Sequence, residues 1–213
     1  MPGDIAEMTS ALQEPGLSLT RGKSCDSGLL QLIDSARNGE AAAFEEIMIR
    51  YQRRVINTAW RMLGNREDAQ DAAQDVFLRV FKYLKSFRFS EDFDGWLYRI
   101  IVNACRDIAR KRPPTSAGSC EEAGGPDLER LAADGGVEES AIHSQERTII
   151  AEALATLSRK EREALVLRDL EGFSTEEVAR LLGSSQTTVR SQISSARKKI
   201  KLFRDRLLKQ RRG

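Results

Sequence analysis

Histidine occurs once in the sequence, at His143, too few for a multi-histidine metal site and poorly suited to histidine-based acid–base catalysis. The three cysteines, Cys25, Cys105 and Cys120, are widely spaced and odd in number. That pattern fits neither a zinc site nor a disulfide framework and suits a reducing cytoplasm. No stretch approaches 18 apolar residues, and the N-terminus has no basic start followed by an apolar run. A soluble, non-exported protein without membrane insertion is expected. The carboxylates Asp68, Asp71 and Asp75 could suggest magnesium, but they fall on one helix face and no glycine-rich nucleotide loop accompanies them. The chain is therefore expected to need no metal or cofactor and not to be an enzyme.

What is present is helical periodicity with separated charge. Hydrophobic residues make up 40% of the 213, enough for globular cores, and charged residues 31% with a net charge of only +2, a total that conceals any segregation of sign. Residues 1–26, with Pro2, Gly3, Pro15, Gly16 and Gly22, read as a disordered tail. Leu29, Leu30, Leu32 and Ile33 start a first helix ended by Asn38-Gly39. Phe44, Ile47, Met48, Tyr51, Val55, Ala59 and Met62 mark a second, closed by Gly64-Asn65. A third runs from about Glu67 to Leu84 with Ala69, Ala72, Ala73, Val76, Phe77, Val80, Phe81 and Leu84 as its core stripe. A fourth covers Phe93 to about Arg112. No segment alternates at period two between turn residues, so an all-α fold without a sheet is expected.

Residues 113–145 differ. Prolines, paired glycines and seven acids (Glu121, Glu122, Asp127, Glu129, Asp134, Glu138 and Glu139) against Arg130 alone read as a flexible acidic linker between residues 27–112 and a second helical domain, 146–213. In that second domain Ser158 with Glu161, and Ser174 with Glu177, are capping boxes. The helix Thr175–Leu182 is broken by Gly183, and Ser185 can cap another whose inner stripe is Val189, Ile193, Ala196 and Ile200. Two short helices about a glycine turn suit a helix-turn-helix. The second presents Gln186, Thr187, Thr188, Arg190, Gln192, Arg197, Lys198 and Lys201 outward. From Gln186 to the end every charge is basic except Asp205, an electrostatic footprint for nucleic acid, against which stands a solvated hairpin with a basic tail.

Two faces in the first domain are polar in a patterned way. The third helix shows Asp71, Gln74, Asp75, Leu78 and Lys82 opposite its core, a plausible docking patch for a basic protein helix, although a lone exposed leucine is common. The fourth buries Leu97, Ile100, Ile101, Ala104 and Ile108, while Trp96, Arg99, Asn103, Arg106 and Arg110 form another stripe. A tryptophan, an amide and three arginines in line suit unpaired bases and phosphates, although a tryptophan near a helix start is often core.

The motif Asp71-x-x-Gln74-Asp75-x-Phe77, followed by Ser86-Phe87-Arg88, Trp96-Leu97-Tyr98-Arg99-Ile100, Asn103 and a basic helix end, resembles region 2 of bacterial sigma factors. The residues from Leu157 to Ile200 are similar to region 4 of the extracytoplasmic-function (ECF) branch of the sigma-70 family. The resemblance implies a sigma factor that binds core RNA polymerase (β′ and β subunits) and promoter DNA, with an anti-sigma factor as regulator. Asp71, Gln74, Asp75, Phe77 and Leu78 would meet the polymerase. Phe87, Arg88, Trp96, Arg99, Asn103, Arg106 and Arg110 would open and hold the −10 element. Thr175, Glu176, Gln186, Thr187, Thr188, Arg190, Ser191, Gln192, Arg197 and Lys198 would read the −35 element. Asp75 stands where Glu is frequent, and Gly95 where Thr is, which would loosen the start of the fourth helix. Thr187 replaces a glycine, and Gln192 and Ser195 stand where arginines are frequent, which would weaken phosphate contacts. A dimeric helix-turn-helix repressor and an anti-sigma or adaptor protein are the alternatives; polymerase dependence separates the first from a sigma factor, and the basic helices disfavour the second.

Overall fold

A computed structural model describes residues 27–89, 92–111 and 147–210, and among them every regular element is helical. The expected tail, residues 1–26, and the expected linker, 113–145, lie outside the described residues.

Helix α1 (Ser27–Arg37) is followed by Gly39, whose φ of 98° suits a residue without Cβ. Helix α2 (Ala41–Leu63) turns Ile47, Tyr51, Val55, Ala59 and Met62 inward at three- and four-residue steps. It stops at Gly64, left-handed at φ 82°, whose N–H donates to the Trp60 carbonyl. Asn65 then caps α3 (Arg66–Tyr83): its side-chain oxygen accepts from the Asp68 N–H at 2.7 Å, with Glu67 and Asp68 in the positive first turn. The alanines Ala69, Ala72 and Ala73 let α3 lie close against its neighbours. A 3₁₀ turn, Leu84–Ser86, leads to α4 (Phe93–Lys111). Asp92 accepts the Gly95 N–H at 3.1 Å, so Gly95 sits in a capped first turn. Helices α1 to α4 pack in sequence, each on the next, with α2 also against α4.

In the second domain, α5 (residues 147–155) precedes Ser158, which caps α6 (Arg159–Leu165) in a complete capping box. Helix α6 widens into a π-helical turn, Val166–Leu170, and Ser174 caps α7 (Thr175–Leu182) with a second box. Each box contributes about 1 kcal/mol. Gly183 at φ 63° ends α7, and Ser185 accepts from the Thr188 N–H at 3.1 Å to start α8 (Gln186–Gln210). Val189, Ile193 and Ala196 of α8 are buried, and α8 packs on α6 and α7.

The two domains share one core. Tyr98 and Phe173, both 0% exposed, meet edge to face at 4.7 Å between centroids. Helix α4 lies against α7, and α2 against α6.

One core assignment from the sequence is corrected. Phe81, expected inside, is 68% exposed; its ring stands edge-on to half-buried Phe44, 5.1 Å away. The apolar stripe of α3 thus runs out onto the surface at Phe81, whose contact with α2 is the edge of the Phe44 ring.

Candidate nucleic-acid interface and docking face

On α3, Asp71, Gln74 and Leu78 are exposed as expected, Leu78 at 69%. With Phe81 they form an acidic and apolar face. Asp75 is only half-exposed: Arg79 pairs with it at 2.7 Å and with Asp107 of α4 at 2.8 Å, so it ties two helices together. Phe77 is partly buried and packs on the core, as its place in the apolar stripe of this helix required, because its helical position falls between Ala73 and Val80. Of the residues that the resemblance assigned to the docking face, Asp75 and Phe77 therefore offer less surface than Asp71, Gln74 and Leu78.

The expected −10 surface divides. Arg99, Asn103 and Arg110 of α4 and Arg88 before it are exposed. Phe87 is not: it is 2% exposed and lies between Phe93 and Trp96 at 5.5 and 5.3 Å between centroids, so it is a core ring and the expected base contact is corrected. The exposed aromatic of that loop is Phe89, 42% accessible, with the Arg37 guanidinium 4.9 Å above its ring. Trp96 is half-buried, its ring packed on Phe87 and Phe93, so only part of it is offered to a base. Arg106 is also half-buried. Its guanidinium donates to Glu163 of α6 at 2.7 Å, which the spacing of α4 alone could not reveal.

The helix-turn-helix presents Gln186, Thr187, Thr188, Arg190, Ser191, Arg197 and Lys198 to solvent, with Glu176 exposed and Thr175 half-buried at the start of α7. Arg168, Arg190, Arg197, Lys198 and Lys201 line a shallow groove with Thr175. Five cations around one concavity suit a phosphate backbone, and the amide and hydroxyls at the start of α8 can reach base edges. Arg197 is held by Asp169 through two hydrogen bonds of 2.9 and 2.7 Å, so its charge is partly answered within the fold. Gln192 departs from the expected outer face. It is half-buried, and its buried Oε1 has no hydrogen-bond partner. Position 192 lies three residues after Val189 and four before Ala196, at the border of the buried stripe. Ser195 also points inward and donates to Glu161 at 2.6 Å. An arginine there would have to leave that hydrogen bond, so Ser195 is part of the fold rather than a missing phosphate contact.

Cys105 is buried, and burial followed by the nearby Glu163 carboxylate pushes its thiol up to about 12. Such a thiol stays protonated and unreactive. Among the described residues no group of three or more His, Cys, Asp or Glu side chains is placed to hold a metal ion, and no helix is long and apolar enough to cross a membrane.

Sequence reasoning missed the residues that join the domains. Glu171 is 7% exposed at its side chain. It accepts from Thr58 at 2.7 Å, from Arg61 at 3.2 Å and, in a very short hydrogen bond, from the Tyr98 hydroxyl. Burial, and next the Glu171 charge, raise the Tyr98 pKa, so its proton stays in the bond. The π-helical turn delivers this carboxylate, since the Glu171 N–H donates to Val166, five residues back. One signal was available: Thr58 stands at a core position of α2, where a polar residue needs a partner.

A basic helix-turn-helix joined to a second helical domain defines a two-domain helical protein of the DNA-binding kind. Comparison with known proteins gives the family. Residues 47–113 match the model for Sigma-70 region 2, and residues 147–200 that for Sigma-70, region 4. The RNA polymerase sigma-H factor of Pseudomonas aeruginosa is 30% identical over 177 residues, 80% of this chain and 90% of that protein. The ECF RNA polymerase sigma factor SigW of Bacillus subtilis is 31% identical over 173 residues, 79% and 92% of the two chains. The solved structure of CnrH in complex with the cytosolic domain of CnrY superposes with a TM-score of 0.61 at 25% identity, covering 84% of this chain and 97% of that one. The chain belongs to the ECF branch of the sigma-70 family. It is a sigma factor that directs promoter-specific transcription initiation.

Proposed function

We propose that the chain divides promoter recognition between its domains and acts by binding alone, in the cytoplasm, without catalysis. The α3 face of Asp71, Gln74, Leu78 and Phe81 docks on the β′ subunit of core polymerase. An anti-sigma factor is the expected regulator, and the similar protein CnrH is solved in complex with the cytosolic domain of another protein, CnrY. Arg99, Asn103, Arg106 and Arg110 follow the melted strand at the −10 element while the exposed edge of Trp96 supports an unpaired base. The groove around α8 takes the −35 duplex, with Gln186, Thr187, Thr188 and Arg190 nearest the bases.

The observation that carries this reading is the five-cation groove beside the capped start of α8. Its later cations suit phosphates and its first turn suits base edges. Permanganate footprinting with core polymerase tests the division. Arg190→Ala should weaken recruitment to a closed duplex and matter little on a template already opened at −10. Trp96→Ala should leave recruitment intact and slow opening, and pre-melting should rescue it. Failure of pre-melting to rescue either variant contradicts the assignment.

A further inference from the structure

Reading a base edge requires a recognition helix to hold its roll about its own axis, and the apolar stripe of α8 cannot do that alone. Val189, Ile193 and Ala196 are buried, but apolar burial is non-directional and sets the inward side of a helix only loosely. Gln192 shows that a further force acts. Its Oε1 is buried without a hydrogen-bond partner, and a small outward roll on that flank would give it water, which a buried acceptor favours. The roll that α8 keeps is therefore set by other contacts.

Two carboxylates supply them, one on each side of the stripe. Glu161 of α6 accepts from the Ser195 hydroxyl at 2.6 Å and from the Lys199 ammonium at 2.7 Å. That carboxylate is itself fixed, since it also accepts from the Ser158 N–H at 2.8 Å in the capping box. Asp169, in the π-helical turn, accepts from Arg197 at 2.9 and 2.7 Å. Two residues turn a helix by about 200°, so Arg197 lies on the opposite flank from Ser195 and Lys199, with the buried stripe between. A roll in either direction lengthens one of the two contacts. At about 6 Å from the axis, a roll of about 20° moves an atom by about 2 Å, enough to break a hydrogen bond of this length.

We propose that Glu161 and Asp169 are positioning residues for −35 recognition: they clamp α8 from its two flanks and fix the roll that aims Gln186 and Arg190 at the bases. The proposal rests on the assignment of α8 to the −35 duplex. Both residues carry the sign of charge that DNA repels, so an effect through charge alone and an effect through position have opposite signatures. Loss of an acid raises attraction for every duplex alike. Loss of a clamp lets Arg190 drift from the geometry that one base requires, which is held to within about 0.5 Å, and lowers the preference for that base. A good side-chain pair with a base discriminates by about five- to 150-fold, and this is the range at stake.

For the test, holoenzyme reconstituted from core polymerase and the full chain selects its promoter from a duplex library randomised over both upstream elements. Kd is then measured on the selected duplex and on each single-base change in its −35 element. Asp169→Ala releases one clamp. Glu161→Gln with Ser195→Ala and Lys199→Met releases the other, while glutamine keeps the capping box. Thermal unfolding sets the assay temperature below the transition of every variant. Each released variant should lose at least about five-fold of the −35 preference, with affinity for mismatched duplexes unchanged or raised. Asp169→Asn, which keeps an acceptor for Arg197 without the charge, should raise affinity for all duplexes and keep most of the preference. A preference unchanged within about two-fold in a released variant overturns the role of its carboxylate, and in both it overturns the proposal. An equal loss of affinity for matched and mismatched duplexes also overturns it, since the contacts then serve the fold alone. Arg190→Ala with both clamps intact separates the assumptions. If it keeps the preference, the −35 reading fails and the positioning role with it; if it loses the preference while the released variants keep theirs, the proposal alone fails.

Discussion

Leu78→Ala with Phe81→Ala should cost polymerase binding and spare the fold. Full burial of a leucine or phenylalanine side chain is worth about 1.5–3 kcal/mol. Leu78 is 69% and Phe81 68% exposed, so docking has about two-thirds of that still to gain, roughly 1–2 kcal/mol each. The pair then accounts for about 2–4 kcal/mol, a weakening of Kd between roughly 30-fold and 1,000-fold. The same exposure limits the loss to the free protein, apart from the edge contact of Phe81 with Phe44. Titration of fluorescently labelled factor with purified core polymerase measures Kd directly, and thermal unfolding of the free chain gives the control. A Kd shift below three-fold in a chain that unfolds at the unaltered temperature refutes the docking face.

Other perturbations follow from individual contacts. Asp71→Lys should weaken core binding alone, whereas Asp75→Lys should also lower the unfolding temperature, because Asp75 shares Arg79 with Asp107; equal stability of the two variants contradicts this. Phe87→Ala should destabilise the first domain by about 3–5 kcal/mol as a core truncation, whereas Phe89→Ala should leave denaturant midpoints nearly unchanged. Burial disfavours the Glu161 charge, but hydrogen bonds from Lys199, Ser195 and Ser158 outweigh it and hold the carboxyl down at about 2. Its folded pKa lies below the unfolded value, so its stabilisation is present above about pH 4.3 and is lost as pH falls toward the folded value. Glu161→Gln should therefore lower the unfolding midpoint at pH 7 and progressively less on acidification; a constant difference between pH 7 and pH 2 refutes it.

Local signals carried far in this chain. Ser158 and Ser174 cap their helices as the Ser-x-x-Glu spacing required, Gly64 and Gly183 end theirs in left-handed geometry, and the inner stripe of α8 lies where its three- and four-residue steps put it. These features depend on neighbours within one helical turn, which sequence shows directly. Phe81 lies at the end of its stripe, where burial depends on how far the partner elements reach, and Phe87 lies in the loop after the 3₁₀ turn, where no helical period applies; periodicity holds no record of either. Trp96, Asp75 and Gln192 sit at borders between faces, where a rotation of a few tens of degrees decides exposure. Arg106 and Ser195 were legible as side chains on helices but not as partners of Glu163 and Glu161, residues 57 and 34 positions away. Glu171 gave no local sign at all. Its place comes from the π-helical turn and from Tyr98 and Thr58 across the seam.

The central claim is that the chain turns core polymerase into a promoter-specific enzyme through two domains with separate tasks. Run-off transcription with purified core polymerase, the full chain and a promoter library tests it most directly. The account requires discrete transcripts that need both core and factor, come from a shared pair of upstream elements, and disappear with Leu78→Ala and Phe81→Ala. Transcripts unchanged by omitting the factor, or sequence-specific duplex binding by the factor alone with no gain in transcription, would contradict it.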